Sequence, residues 1–504
     1  MSLVTRIIAT LAAALACALP ASTSATILHV TNNADSGAGT LRQAIIAGNA
    51  LPADDYPDIR IDLSEWEAIH LSSDLPSITR PFVYIRGFAT SRSVIDGGDS
   101  YRIFLVDPLD GGGLVWIDHL TLRNGLASKG GCLSLKSHGS LLAVSDTRFR
   151  GCTASAGPSG EALGGALYVE NAPLLSISDS EFFDNTAEGG VPHGGAINFS
   201  ILGQTDPGKC NVRGSTFLGN RAITTRTTGV YVRGGAMSVN LATLSVTENV
   251  FRDNDAVQPD DSEPDEIGSR GGALYATGSD GLIARNNFTM NQAGEGGAMF
   301  IATGLGYWTS QAPEVRNNTF VANIADLSGG AIVGWLSDLS VRSNSFHANI
   351  APAGSSVMFE EGEILLAHNL VSGRSSGLWC DTVEPAAITG RNNLLPASSC
   401  LDSSTSDTIV DNVRVQGFLP DVVYPLTRQP LRPFAHSGAI DSGDPGTPDD
   451  DDVTTCPETD GLEQPRAVDG DADSVVRCDI GAFEWQGEAS LFADDFEDRI
   501  QPMY

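Results

Sequence analysis

Two short motifs recur through the middle of this chain, and together they leave few folds open. The first is Gly-Gly-Ala followed by an apolar residue, at Gly164–Leu167, Gly194–Ile197, Gly234–Met237, Gly271–Leu274, Gly296–Met299 and Gly329–Ile332. A degenerate copy, Gly-Gly-Cys-Leu, starts at Gly130. The second is Phe-x-x-Asn-x-Ala, beginning at Phe182, Phe217, Phe251, Phe288, Phe320 and Phe346. Phe149 opens a degenerate copy in which Cys152 stands where the others carry Asn. Successive Phe positions lie 33, 35, 34, 37, 32 and 26 residues apart. A period in this range marks stacked units that share one continuous core.

The segments between the motifs alternate apolar and polar residues, as in Leu175-Ser-Ile177-Ser, Leu244-Ser-Val246-Thr and Leu339-Ser-Val341-Arg. Alternation of period two describes half-buried strands. No stretch inside the repeat has a 3.6-residue period, which removes βαβ units and leucine-rich horseshoes. Short strands joined by Gly and Asn turns, about thirty residues per turn, describe a right-handed parallel β-helix. Coils stack about 4.8 Å apart, so one slot lies above the same slot of the previous coil. Phe in register then builds an internal stack, and Asn in register lets amides bond along the axis. Gly-Gly permits a corner with positive φ, and Ala leaves room beside it. The ladder residues are therefore read as core and turn, not as a site. Ten or eleven coils are expected.

Composition narrows the partners. The chain carries 62 Asp and Glu against 30 Lys and Arg, a net charge of −32, and only three lysines, Lys129, Lys136 and Lys209. Nucleic-acid binding needs clustered cations, so it is excluded as a partner. At the N-terminus, Arg6 precedes a short apolar run from Ile7 to Leu19, with Pro20 and small residues to Ala25. That pattern reads as a secretory signal over residues 1–25, too short for a membrane span. No later segment is apolar enough to cross a membrane. Eight cysteines suit an exported chain. Neighbours in sequence suggest pairs 132–152, 380–400 and 456–478 with Cys210 left over, a connectivity that spacing alone does not fix. The absence of Cys-x-x-Cys gives no sign of a zinc or thioredoxin-like motif.

The Gly-Gly-Ala and Phe-x-x-Asn pattern resembles the repeat of polymorphic outer-membrane proteins. Val30-Thr-Asn-Asn33 followed by Asp35 to Ile45 is similar to the opening of CSLREA-type β-helix proteins, without their Cys. Ser437 to Gly443, Pro465-Arg466 and Cys478 to Glu484 look like a choice-of-anchor Q domain. The resemblance implies the β-helix fold and a surface or secreted protein; it implies no activity. Polymorphic outer-membrane proteins end in a barrel. Here 19 residues follow Trp485, fewer than a barrel of about eight strands requires, so no barrel of its own is expected. The resulting division is a signal over 1–25, an N-terminal cap with first coils over 26–110, repeats over 111–400, a C-terminal cap over 401–487 and an acidic tail over 488–504. Thr40–Asn49, with Leu41, Ala44, Ile45 and Ile46 on one side, is expected to form a helix that caps the first coil.

Candidate chemistry is sparse. Asp469, Asp471 and Asp473 alternate as in oxygen-rich calcium loops, although Ile480 stands where an EF-hand has Glu. A solvated acidic surface is the plainer reading of the same residues. Calcium is the one cofactor suggested. Arg123, Arg213, Arg285, Arg316 and Arg342 recur before a turn, which fits an exposed ladder position better than a unique base. Asp253 and Asp255 flank ladder Asn254 and do not make a hydrolase pair. His119 and His193 lack ligand-spaced partners and are read as turn residues. The expected function is that of an adhesin-like or matrix-binding protein without catalysis, its partner a polysaccharide or cell-surface ligand. The competing expectation is a polysaccharide lyase or glycoside hydrolase on the pectin-lyase-like fold. In either case the unequal loops, the largest at Gln258–Ser269, or the acidic C-terminal part are where function is expected.

Overall fold

The coil that starts at Gly164 shows how the sequence becomes a solenoid. It runs through strands Leu167–Glu170, Leu174–Ser178, Glu181–Phe183, Thr186–Gly189 and Val191–His193, then reaches Gly194 directly above its start. The coordinates are those of a computed structural model. The structure describes residues 24–486 apart from short internal stretches, of which 259–266, 304–311 and 417–431 are the longest. Residues 1–23 of the expected signal, most of the Gln258–Ser269 loop, and the tail lie outside the described residues.

Among the described residues, repetition of this coil makes three large sheets of 22, 13 and 11 strands. All their pairings are parallel; the one antiparallel strand pair joins Val415–Gln416 to Arg432–Pro433. The protein is thus a parallel β-helix. The sheet that carries the Phe motif has 13 strands, so the stack exceeds the ten or eleven coils expected and extends about 58 Å. The first coils, at Asp55–Ile61 and Phe82–Arg86, and the last, at Val357–Ala367 and Cys380–Arg391, lack the Gly-Gly signature yet hold the same register. The helix Leu41–Asn49 packs on strands Ser24–Val30 and Asp55–Ile61, as expected for a cap on the first coil. The Thr40 hydroxyl accepts the Gln43 N–H and so starts it.

The interior follows the motifs. Phe149, Phe182, Phe217, Phe251, Phe288, Phe320 and Phe346 stack with centroids 4.7–5.1 Å apart and planes within 9°. The Asn ladder runs beside them. Asn220 Oδ1 accepts both the backbone N–H and the side-chain Nδ2 of Asn185, at 3.1 and 2.9 Å. Its own Nδ2 donates to the Phe182 carbonyl at 2.9 Å. The same set recurs through Asn254, Asn291, Asn323 and Asn349.

A second ladder, not foreseen, occupies the position two residues before each Phe. It begins with the hydroxyls of Ser180 and Ser215 and continues through Asn249, Asn286, Asn318, Asn344, Asn369 and Asn393. Each corner takes positive φ at the residue before the ladder, as at Asp179, Asn317 and His368.

The glycine pair is required sterically. Gly164 has φ +61°, and a Cβ there would lie 2.1 Å from the Leu167 carbonyl oxygen. On Gly165 a Cβ would meet the Gly195 carbonyl oxygen of the next coil at 2.0 Å. Disulfides join Cys132–Cys152, Cys380–Cys400 and Cys456–Cys478, the pairs suggested by adjacency, and Cys210 is a buried free thiol. No helix among the described residues is long and apolar enough to cross a membrane.

Candidate functional site

The outer side of the Gly-Gly corner gathers a second set of buried side chains, separate from the Phe stack. In every repeat, the residue after the apolar position points outward. In register these are Tyr168, Asn198, Ser238, Tyr275, Phe300 and Val333. The residues just before the Gly pair form a neighbouring column that includes Lys129, His193, Arg233 and Arg270. The second column leans over the first. The Lys129 ammonium lies 5.4 Å from the Tyr168 ring, and the Arg233 guanidinium 5.2 Å from the Tyr275 ring. Arg270 is packed among Tyr231, Phe300 and Trp335 at 4.3, 4.6 and 5.3 Å. Such cation–ring contacts hold the aromatic faces in fixed orientation.

Between Tyr168 and Tyr275 stand the short polar Asn198 and Ser238; all four side chains are nearly fully buried, so two coils form a covered polar slot with aromatic ends. The slot spans about 14 Å from ring to ring at the coil repeat. Its edges carry polar atoms without a hydrogen-bond partner among the described residues: His193 Nε2 and Arg233 Nε on one side, Asn240 Oδ1 and Thr277 Oγ1 on the other. Buried polar atoms are paired almost everywhere in folded proteins, so four on one face point to groups that a ligand or water completes. Donor and acceptor atoms between aromatic walls suit a hydroxyl-rich molecule.

The electrostatics of the slot are set by burial and by its cations. Burial, with Arg233 and Lys129 nearby, lowers the His193 imidazole to about 3, which leaves it neutral. Burial alone would raise the Glu170 carboxyl, but the Tyr168 hydroxyl and the Lys136 ammonium hold it below its ordinary value. The Tyr168 phenol, donating to Glu170 and desolvated, is pushed far up and stays protonated. Lys129 pairs with Glu161 at 2.7 Å, Lys136 with Glu170 at 3.0 Å, and Arg270 with Glu295 at 2.6 Å. Among the described residues, no carboxylate pairs with Arg233 and none accepts a hydrogen bond from its side chain.

A second feature lies on the corner that precedes the Phe sheet. Residues from Ser437 to Gln486 pack along the side of the coils. Arg342, expected to be exposed, has no exposed side-chain surface. It pairs with Glu314 and donates to the carbonyls of Asp450 and Asp452, the latter at 2.8 Å. Arg316 pairs with Asp450 at 2.8 Å, and Asn317 Nδ2 donates to the Thr459 carbonyl at 2.8 Å. Arg213 and Arg285 approach Glu463 at 3.7 and 3.8 Å. The recurring arginines are therefore a seat for this segment and not a solvent-facing ladder; Arg123, outside it, pairs with Asp96.

Inside the segment, Arg466 is fully buried with Asp460, Asp479 and Glu484. It donates to the Asn317 amide oxygen and the Gly481 carbonyl at 2.8 and 2.7 Å. Burial raises Asp479 to about 7, and burial with the Asp479 charge raises Glu484 to about 9.

The suggested calcium loop serves turns. Asp469 Oδ2 accepts the Ser474 N–H at 3.0 Å and Asp473 Oδ1 the Val475 N–H at 2.7 Å. Asp469 Oδ1 is shielded without a hydrogen-bond partner. Asp471 lies outside the described residues. Among the described residues, metal-like spacing of three His, Cys or carboxylate donors occurs at His368, Cys456 and Cys478, where both sulfurs form the disulfide. His368 Nε2 there accepts the Asp444 N–H at 3.2 Å.

Asp253 sits at a positive-φ corner beside Arg252, and Asp255 pairs with Arg221. His119 is a positive-φ corner residue bound to Asp146, as expected of a turn. His193 lies in strand Val191–His193 instead, at the slot edge. Comparisons of the chain with known protein families, with characterised proteins and with solved structures return no match.

Proposed function

We propose that this chain is an exported or cell-surface β-helix protein, related to the polymorphic outer-membrane-protein repeats, that binds polysaccharide in the slot without turning it over. The observation that carries the reading is the set of four unpartnered polar atoms between the Tyr168 and Tyr275 rings. Sugars present hydroxyls at their edges and C–H faces above and below, which such a slot can receive. Three disulfides favour an oxidising compartment.

Absence of turnover is supported by the acid–base groups at hand. A general base works best with a pKa near the working pH. His193 is far too low and Tyr168 far too high for that role. Calorimetry of the full chain with a panel of soluble oligosaccharides tests the reading, with binding expected to at least one. No binding to any member would overturn it. Unsaturated products or new reducing ends in the same mixtures would replace it by a lyase or hydrolase.

A further inference from the structure

We infer that His368, Cys456 and Cys478 form a zinc site whenever the two cysteines are thiols, so that one pocket holds either a disulfide or a metal ion. One donor atom from each residue lies within 4.8 Å of the others, and all three residues are buried. In a tetrahedral zinc site, bonds of about 2.3 Å to sulfur and about 2.1 Å to nitrogen set the donors about 3.5–3.8 Å apart. The Cα atoms of Cys456 and Cys478 are 6.5 Å apart, which leaves room for two sulfurs at about that spacing. Cys-x-x-Cys spacing could not reveal the group. His368 comes from a corner of the solenoid, and the cysteines come from the segment packed against it.

The histidine is a second, independent sign of a ligand. His368 has no exposed surface, and its Nδ1 has no partner among the described residues. Its Nε2 faces Asp444, whose carbonyl oxygen lies 3.9 Å from Cys478 Sγ. The neighbouring coils carry Ser343 and Asn392 in the same slot, also at positive φ, so the corner does not require an imidazole. Two thiolates cancel the charge of zinc(II) and a neutral imidazole adds none, so the filled pocket is uncharged and suits burial. Three protein donors leave the fourth position to water. The two states join different parts. The disulfide closes a loop within the segment, whereas zinc ties the segment to the solenoid at His368.

The test uses the full chain, reduced by a phosphine in denaturant and refolded with cobalt(II), a coloured stand-in for zinc. The phosphine gives two electrons to the disulfide and takes oxygen from water, whose two protons go to the thiols; the metal then displaces those protons to solvent. The refolded reduced chain is expected to take up about one cobalt, with the visible absorption of a tetrahedral ion and a thiolate-to-metal band, and zinc should bleach both. The oxidised chain should show neither band. His368→Asn, which puts in this slot the residue of the next coil, should fold and should lose affinity at least about tenfold, the loss caused by removing a mere hydrogen-bond partner of a ligand. Cys456→Asp cannot form the disulfide yet keeps a donor, and should bind zinc without any reductant. A folded reduced chain, judged by circular dichroism, that takes up no cobalt would overturn the inference. So would uptake that His368→Asn leaves unchanged, since the metal would then sit on other thiols. If the reduced wild type does not refold, Cys456→Asp decides, and a folded variant that binds no zinc overturns the inference equally.

Discussion

Arg342 and Asp452 lie 110 residues apart in sequence, yet Nη1 of the arginine donates to the aspartate's backbone carbonyl at 2.8 Å. The same guanidinium reaches Glu314 and Asp450 and has no exposed surface. This single side chain ties the solenoid to the segment folded along it. Arg342→Leu should leave Glu314 and several carbonyls without a donor, at a cost of about 3 kcal/mol. The expected signature is faster proteolysis between residues 437 and 486 with the coils still intact. A segment that resists protease as in the wild type would contradict the clasp.

The buried acids of that segment give it a pH dependence of definite sign. Asp479 and Glu484 are raised, to about 7 and about 9, so the folded form holds more protons than the unfolded form above their ordinary range. Stability contributed by these protons is present at low pH and is lost as pH rises through those values. The two carboxyls are coupled and titrate as a pair around Arg466. Hydrogen exchange in residues 437–486 should therefore speed up between pH 6 and pH 9, after correction for the intrinsic rate. Slower corrected exchange over that range would reverse the sign and reject the account.

The Asn254 side chain makes four hydrogen bonds at once, one of them from its Nδ2 to Asn291 Oδ1 at 2.9 Å. It accepts from the backbone and side chain of Asn220 and donates to the Phe217 carbonyl at 3.0 Å. Asn254→Ala strands these groups inside the solenoid and should cost about 3 kcal/mol. Lys209→Ala, at an exposed position of strand Gly208–Arg213, should cost under about 1 kcal/mol. Chemical denaturation of both variants checks the contrast.

The slot should fail when a wall is removed. Tyr275→Ala deletes the ring on which Arg233 lies and frees that side chain. Affinity for the best-bound oligosaccharide should drop at least about tenfold in the folded variant, and the melting temperature should fall as well, since the ring is buried and stacks on Phe300. Unchanged affinity would place the ligand elsewhere.

For the loop at Asp469, calcium binding is a proposal that competes with a plain solvated acidic surface, and melting temperature decides between them. A binder of the folded state raises the melting temperature, so millimolar calcium should shift it upward by roughly 2 °C or more. Asp469→Asn should abolish the shift, and chelator should reverse it. No shift in the wild type would remove calcium from the account.

The coils were legible because their signals repeat. Six or seven copies of Phe, Asn and Gly-Gly leave one register, and the strands follow it. The second ladder was equally periodic, but Ser180 and Ser215 open it, and hydroxyls before Phe look like ordinary turn residues. The slot was half legible. Gly-Gly-Ala-Leu-Tyr, Gly-Gly-Ala-Ile-Asn and Gly-Gly-Ala-Met-Ser place Tyr168, Asn198 and Ser238 in one outward column. What alternation cannot supply is the partner across the corner, because Arg233 meets Tyr275 forty-two residues later only after a full coil is wound. The burial of Arg342 was invisible for the same reason: its cover comes from a segment with no periodicity at all.

The segment that doubles back changes how this rod would carry load. A plain stack of coils, pulled from its last turn, would unzip one rung at a time. Here a pull transmitted through Trp485 meets Ala482 on Ser345, Arg466 on Asn317 and Asp450 on Arg316 before it reaches the end of the stack. Those contacts lie on two neighbouring coils and would be sheared together, so tension applied at that end is shared by those coils and does not peel the tip of the rod.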